Sequence, residues 1–204
     1  MHRRTWLLLP AGVSLLAGLD AALLLLEVPA PVDAAHLPTA HGILMVLGFL
    51  GTLISLERAV ALRSPWAYAA PALLGAGGVM LAAGPRLLGQ ALLIDGLVAF
   101  LAIAVLLEGR QGDGATAVEV LAVSHALAAA ILWTRLEVSA LLPLLVGFVV
   151  WTIAAERVEL ARPVGGPMAS QVRAATASQP QAASIAAAEK RGSPRDRIVC
   201  RATS

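Results

Sequence analysis

The sequence is poor in charged residues and nearly free of cysteine. Charged residues make up 14% of its 204 residues, whereas a soluble globular domain carries about 25%. The single cysteine, Cys200, excludes an intrachain disulfide and a cysteine-based metal site. The sequence contains no P-loop, no Gly-x-Ser-x-Gly motif and no His-Glu-x-x-His motif. It therefore lacks the common signatures of nucleotide-binding, hydrolase and zinc-protease sites.

Apolar residues, in contrast, are abundant in the sequence. They make up 58% of the chain, and the mean hydropathy is +0.80. Several apolar runs approach the length of roughly 17–25 residues that an α-helix needs to cross the hydrocarbon layer of a membrane. The sequence therefore predicts an all-α membrane protein in the lipid bilayer, with a helical domain over 1–162 and about six transmembrane helices. These lie at 6–28, 40–57, 67–84, 87–107, 116–133 and 138–155.

The arginines of the helical domain are distributed unevenly between the predicted connections. If the N-terminus lies inside, seven arginines fall on the inner side and only Arg86 and Arg135 on the outer side. Arginine and lysine concentrate on the cytoplasmic side of bacterial membrane proteins. We therefore expect a multi-pass protein of the cytoplasmic (inner) membrane with both termini in the cytoplasm. The inner arginines are Arg3, Arg4, Arg58, Arg63, Arg110, Arg157 and Arg162.

The segment 163–204 differs in composition from everything before it. It has no aromatic residue and is rich in Ala, Ser, Gln, Arg and Gly, which predicts a disordered basic tail. Five arginines and one lysine face two acids there, so the basic pI of 9.3 is largely a property of the tail and no nucleic-acid partner is expected. The abrupt change after Arg162 also fits an N-terminal fragment of a longer membrane protein.

An internal repeat links the second and sixth predicted helices. Gly48-Phe49, Ile54 and Glu57-Arg58 recur at the same spacing as Gly147-Phe148, Ile153 and Glu156-Arg157, 99 residues later. The shift spans four helices, and an even shift preserves direction, so the pattern predicts a parallel four-helix repeat.

Two groups of charged and polar residues carry the candidate chemistry. If the repeated helices are neighbours, Glu57 can pair with Arg157 and Glu156 with Arg58, which would join their inner ends as structural ion pairs. Four further ionisable residues, Asp20, Asp95, Glu119 and His125, lie within the predicted membrane segments. A carboxylate at the centre of a bilayer costs about 2.5–3.5 kcal/mol on insertion scales, so such groups face a partner or water. Each is a candidate for a proton relay, a ligand site or a hydrogen bond between helices.

A third candidate site combines His41 and Met45, which lie four residues apart and hence on one face of a helix. Imidazole and thioether ligands suit copper or haem iron, and His36 in the preceding loop can add a third nitrogen. The alternative is that Met45 only packs within the helix bundle and that His41 lies at the membrane interface.

The segment from His41 through Met45 to Gly48-Phe49 resembles the His-x-x-x-Met helix of NnrS-type bacterial membrane proteins. The resemblance covers about nine residues. Ala40 and Gly42 stand where that family has Trp and a second His. It implies a haem- or copper-binding protein linked to nitric oxide metabolism, with His41, Met45 and His125 as cofactor ligands and His41 and Met45 as metal ligands.

The sequence is compatible with two different classes of function. One hypothesis is the NnrS-like, haem- or copper-binding protein. The alternative is a small permease or channel-like protein in which Asp20, Asp95, Glu119 and His125 form a polar path. Neither substrate nor reaction follows from the sequence, and neither does the oligomeric state.

Overall fold

The computed structural model describes residues 5–112 and 114–161, and this part of the chain is helical, without a β-strand. It contains six helices that are long and apolar enough to cross a membrane, which confirms the predicted number. We label them α1 (Leu8–Leu25), α2 (Leu37–Leu62), α3 (Ala69–Ala83, preceded by a 3-10 turn at Pro65–Tyr68), α4 (Arg86–Gln111), α5 (Gly114–Leu132) and α6 (Val138–Leu160).

Several helices extend past the apolar runs from which they were predicted. Helix α2 continues beyond Glu57 until Arg63 takes a left-handed backbone conformation (φ 56°), and α4 continues until Gly112 does the same (φ 61°). A helix ends where its backbone geometry changes rather than where its side chains become polar. Glu57 and Arg58 therefore lie one turn inside α2, on rigid backbone. The predicted tail at 163–204 and the boundary at 162 lie outside the described residues.

Short connections make successive helices antiparallel, so the bundle has two ends. The "Arg58 end" holds the α2–α3 and α4–α5 connections, and the "His36 end" holds the other three. Gly42 of α2 faces Val138 of α6 at the His36 end, and Arg58 of α2 meets Glu156 of α6 at the Arg58 end. Helices α2 and α6 therefore run in the same direction, as the internal repeat requires. The repeat itself stays a prediction.

The core is apolar, and so is much of the outer surface. Fully buried side chains come from α2 through α6, among them Ile43, Leu47, Leu74, Leu97, Phe100 and Phe148. Large apolar residues are also exposed on every one of these helices except α3, including Leu16, Val60, Val98, Leu121 and Val146. Soluble monomers rarely expose contiguous apolar surface on this scale. The outer surface is therefore suited to lipid.

The middle of α2, from Leu44 to Gly51, is π-helical and packs tightly against α1 and α3. A methyl group added at Gly78 of α3 would lie 2.1 Å from Ser14 Oγ of α1 and 3.2 Å from Gly48 Cα of α2. The three helices can approach this closely only because Gly48 and Gly78 lack side chains. This contact holds the first three helices together and sets the rotation of α2 about its axis.

Candidate functional site

A buried arginine lies inside the Arg58 end of the bundle and is surrounded by carboxylates. Arg58 is 8% exposed. Its Nε lies 2.7 Å from Glu119 Oε1 of α5, and its Nη1 donates to Glu159 Oε2 of α6 at 3.4 Å. Its Nη2 donates to Glu156 Oε1, also of α6. One guanidinium therefore connects three helices.

The three glutamates occupy different depths. The Glu119 side chain is only 2% exposed, whereas those of Glu156 and Glu159 are 38% and 50% exposed. Glu156 and Glu159 are three residues apart on α6 and so lie on one face of that helix. Glu119 contacts the guanidinium from inside the bundle, and Glu156 and Glu159 contact it from the more exposed side. We call Arg58 and these three glutamates, Glu119, Glu156 and Glu159, the "Arg58 cluster".

The cluster carries more negative than positive charge. Three carboxylates face one guanidinium, and no other cation joins them in an ion pair among the described residues. The 2.7 Å contact between Arg58 Nε and Glu119 is an ion pair whose N–H direction departs from hydrogen-bond alignment. A buried carboxylate that is incompletely hydrogen-bonded is costly to keep. Glu119 is therefore a buried carboxylate whose Oε1 accepts no hydrogen bond from the described residues.

Hydroxyl groups near this end of α2 and α6 do not relieve that excess. Thr52 Oγ1 donates to the Gly48 carbonyl at 2.6 Å, and Ser55 Oγ donates to the Thr52 carbonyl at 3.1 Å. Thr152 Oγ1 donates to the Phe148 carbonyl at 2.8 Å. Because each of these hydroxyl groups donates its proton to a carbonyl of its own helix, none of the three donates to the carboxylates of the cluster.

The structure brings together one of the two expected Glu–Arg pairs. Arg58 contacts Glu156, but no ion pair joins Glu57 to Arg157 in the part of the chain that the structure describes, and both are exposed. Successive residues of an α-helix point about 100° apart. Once packing turns Arg58 and Glu156 inward, their sequence neighbours Glu57 and Arg157 must face away.

Glu159 belongs to the cluster, but the sequence analysis did not single it out. It lies outside the repeated motif and beyond the predicted end of the sixth helix at 155. Its spacing of three residues from Glu156 was the available signal, because such spacing places two carboxylates on one helical face.

The remaining ionisable residues do not form one path with Glu119. Asp20 is half-buried in a groove between α1 and the segment before α2. Asp95 is exposed on the outer face of α4. The half-buried His125 uses Nδ1 to donate to the Leu121 carbonyl of its own helix at 2.8 Å. Asp20, Asp95 and His125 therefore do not form a continuous polar path with Glu119 among the described residues.

His41 and Met45 both pack against α1 at Gly18. His41 Nδ1 donates to the Gly18 carbonyl at 2.9 Å, and a methyl group at Gly18 would lie 2.6 Å from Met45 Sδ. With Nδ1 donating, Nε2 of a neutral imidazole keeps its lone pair, which is the arrangement of many metal-bound histidines.

The other two histidines lie elsewhere. The ring of His125 packs against Gly147 of α6, and His36 Nε2 donates to the Ala82 carbonyl of α3 at 3.1 Å. No group of three or more His, Cys, Asp or Glu residues is placed to hold a metal ion within residues 5–112 and 114–161.

Comparison with known proteins relates the chain to one family. The model of a family described as a domain of unknown function, DUF8744, matches residues 4–193. The chain belongs to the DUF8744 family. The match includes all six helices, the Arg58 cluster and the His41–Met45 pair of this DUF8744 protein. No curated protein and no solved structure matches the chain. The resemblance to NnrS-type proteins stays a prediction.

Proposed function

We propose that this protein crosses the cytoplasmic membrane of a bacterium six times, with both termini in the cytoplasm. It acts there as a small permease for protons or monovalent cations. Six apolar helices and an apolar outer surface support insertion. The excess of arginine at the Arg58 end supports the orientation.

The observation that carries the permease proposal is the charge imbalance of the Arg58 cluster. Arg58 cannot neutralise Glu119, Glu156 and Glu159 at once. Ionisable residues inside membrane proteins commonly mark ion and proton pathways. Glu119 lies deepest, and the half-exposed Glu156 and Glu159 lie between it and the outside of the bundle. A cation or proton arriving at the Arg58 end thus meets the exposed carboxylates first and the buried one last.

Flux through reconstituted protein tests this proposal. Proteoliposomes containing a trapped pH-sensitive dye would be given a proton gradient, or a potassium or sodium gradient together with a protonophore, so that cation flux appears as a compensating change in internal pH. We expect the wild-type protein to dissipate one of these gradients faster than empty liposomes do. Glu119→Gln should slow that flux at least tenfold, because the carboxamide keeps the size of Glu119 but removes its charge.

Glu137→Gln is the matched control, because Glu137 is exposed in the α5–α6 connection at the His36 end, opposite the cluster. It should leave the flux unchanged. Both variants should remain folded and elute as single peaks in size-exclusion chromatography. In Glu119→Gln, Arg58 still forms its ion pairs with Glu156 and Glu159. Wild-type flux equal to that of empty liposomes, or full flux in Glu119→Gln, contradicts the permease proposal.

We propose haem or copper binding at His41 and Met45 as a second candidate function. Two observations favour it: both side chains meet α1 at Gly18, and the Gly18 carbonyl orients the imidazole. Bound there, the metal would supply redox chemistry or a site for nitric oxide, as the NnrS resemblance implies.

Visible spectra and metal analysis of purified protein test this second candidate. We expect a Soret band or stoichiometric copper that is lost in His41→Ala and retained in His36→Ala. Retention of the metal in His41→Ala, or wild-type protein without a chromophore or metal after growth with haem precursor and copper, contradicts it.

A further inference from the structure

A pocket lies at the Arg58 end of the bundle, where the chain turns from α2 into α3. Its volume is about 630 Å³, and small-molecule sites in proteins commonly measure about 300–1,000 Å³. The pocket is separate from the Arg58 cluster, because no member of the cluster lines it. We call it the "turn pocket". Its walls are formed by Val60, Arg63, Ser64, Pro65 and Tyr68.

The backbone that carries the polar wall of the turn pocket is held on both sides by hydrogen bonds. The N–H of Arg63 donates to the Val60 carbonyl at 3.3 Å, and the N–H of Ala67 donates to the Ser64 carbonyl at 3.2 Å. The left-handed conformation of Arg63 (φ 56°) ends α2 and redirects the chain. The backbone at Arg63 and Ser64 is therefore in place before a ligand binds, which lowers the entropic cost of binding.

Two arginines bring positive charge to this turn. Arg63 lines the pocket, and Arg110 near the end of α4 donates through Nη1 to the carbonyl of Leu62, the residue next to Arg63, at 3.4 Å. Both arginines are exposed, and neither forms an ion pair with a carboxylate in the described part of the chain. A guanidinium presents five N–H donors in a planar fork that matches the oxygens of a phosphate group. The turn therefore favours an anionic ligand with several acceptor oxygens.

The surroundings of the turn pocket suit a ligand that also has an apolar part. Val60 in its wall is 37% exposed, and Trp66, which follows Pro65, is 46% exposed. Val60 precedes Arg63 by three residues, so it lies about 4.5 Å closer to the middle of α2 at 1.5 Å per residue. Tryptophan is enriched where the hydrocarbon layer meets the lipid headgroups. The charged wall therefore lies at headgroup depth, and the exposed apolar side chain lies on its hydrocarbon side.

We propose that the turn pocket binds the phosphate group of an anionic phospholipid. Arg63 and Arg110 supply the positive charge, and Val60 contacts the beginning of an acyl chain. Basic pockets between transmembrane helices on the cytoplasmic side hold headgroups of this kind in other membrane proteins. The site rests on the membrane insertion and orientation proposed above, which place it in the cytoplasmic leaflet. It does not depend on cation permeation or on a metal.

Native mass spectrometry of the purified protein in detergent tests the site with two lipids of equal chain length. Phosphatidylglycerol carries a net negative charge, and phosphatidylcholine is neutral overall. We expect the wild-type protein to retain phosphatidylglycerol in preference to phosphatidylcholine. Arg63→Gln should weaken phosphatidylglycerol binding about fivefold, the factor that corresponds to about 1 kcal/mol for one basic residue near an anionic lipid. Arg110→Gln should weaken it to a similar extent.

Arg157→Gln is the matched control, because Arg157 is an exposed arginine at the same end of the bundle but does not line the turn pocket. It should keep the wild-type preference for phosphatidylglycerol. Arg63→Lys retains the positive charge and should recover most of the binding that Arg63→Gln loses. This recovery separates a loss of charge from a change in the turn itself, and thermal unfolding of each variant is measured in parallel.

Two results would overturn the proposal: equal retention of both lipids by the wild-type protein, or equal retention of phosphatidylglycerol by Arg63→Gln and Arg157→Gln. Inorganic phosphate distinguishes a lipid from a free anion. Phosphate binding that depends on Arg63, without any preference between the two lipids, would make the ligand a free anion and the lipid proposal wrong.

Recovery of the protein in the membrane fraction is scored before purification. Protein absent from membranes refutes the insertion proposed above, whereas membrane-derived protein without a lipid preference refutes only the lipid site.

Discussion

Glu119 and Arg58, which are 61 positions apart in the sequence, meet inside the bundle with 2.7 Å between Glu119 Oε1 and Arg58 Nε. Both residues are buried. Their contact joins α5 to α2, and Glu156 and Glu159 extend it to α6. This three-helix connection holds the C-terminal pair of helices to α2 at the Arg58 end, and it underlies the first prediction.

Arg58→Met should destabilise the folded protein by about 3–5 kcal/mol, the usual cost of removing one partner of a buried ion pair. Methionine keeps much of the volume and removes the guanidinium that, among the described residues, forms ion pairs with all three carboxylates. Thermal unfolding in detergent, followed by far-ultraviolet circular dichroism, measures the effect. Arg157→Met is the control: Arg157 occupies the equivalent position of the repeat but is exposed, so its substitution should change stability by no more than about 0.5 kcal/mol. Equal destabilisation by both would contradict an inward-facing Arg58.

Gly78→Ala should destabilise the protein by about 1–3 kcal/mol, because overpacking in a close-packed region costs that amount. The added methyl would meet Ser14 Oγ and the backbone of Gly48 at 2.1 and 3.2 Å, and backbone cannot move aside as a flexible side chain can. Gly12→Ala is the matched control on α1, where an added methyl group would have no heavy atom within 4 Å other than those of its chain neighbours and its own helix backbone. Thermal unfolding should separate the two; a Gly78→Ala variant as stable as Gly12→Ala would refute the close three-helix contact.

Arg86→Ala should loosen the contact between the start of α4 and the end of α5. The Arg86 guanidinium carbon lies 5.0 Å from the ring centroid of Trp133, a cation–π distance worth about 0.5–1 kcal/mol at a surface. Arg86→Lys keeps a cation over the ring and should retain much of that stability. The comparison is made by unfolding in detergent, with tryptophan emission reporting on the ring's surroundings. An alanine variant no less stable than the lysine variant would argue against a stabilising cation–π contact.

The proposed orientation in the membrane predicts which connections reagents can reach. In a Cys200→Ser background, a membrane-impermeant maleimide should label Asp33→Cys in intact cells with a permeable outer membrane. Gln111→Cys should be labelled only after the inner membrane is opened. Both parent residues are exposed, and they lie at opposite ends of the bundle, so the pair provides its own control. The reverse labelling pattern would invert the proposed topology.

The number of helices and their approximate positions were predictable from the sequence. Membrane-length apolar runs and the residues that break them are local features, and each helix forms its own backbone hydrogen bonds. The ends were less predictable. Helices α2 and α4 continue to Leu62 and Gln111 because polar residues such as Arg58 and Glu108 continue a helix without difficulty.

The candidate site was predictable only in its parts. Glu119, Arg58 and Glu156 could each be singled out, since charged residues are rare in this sequence. Only the tertiary structure decided that Arg58 and Glu156 turn inward while Glu57 and Arg157 turn outward, that Glu119 and Glu159 join them, and that Asp95 faces away from the bundle. The physical reason is that the rotation of a helix about its own axis depends on the packing of its neighbours. Where nearly every face is apolar, the sequence of one helix does not reveal that rotation.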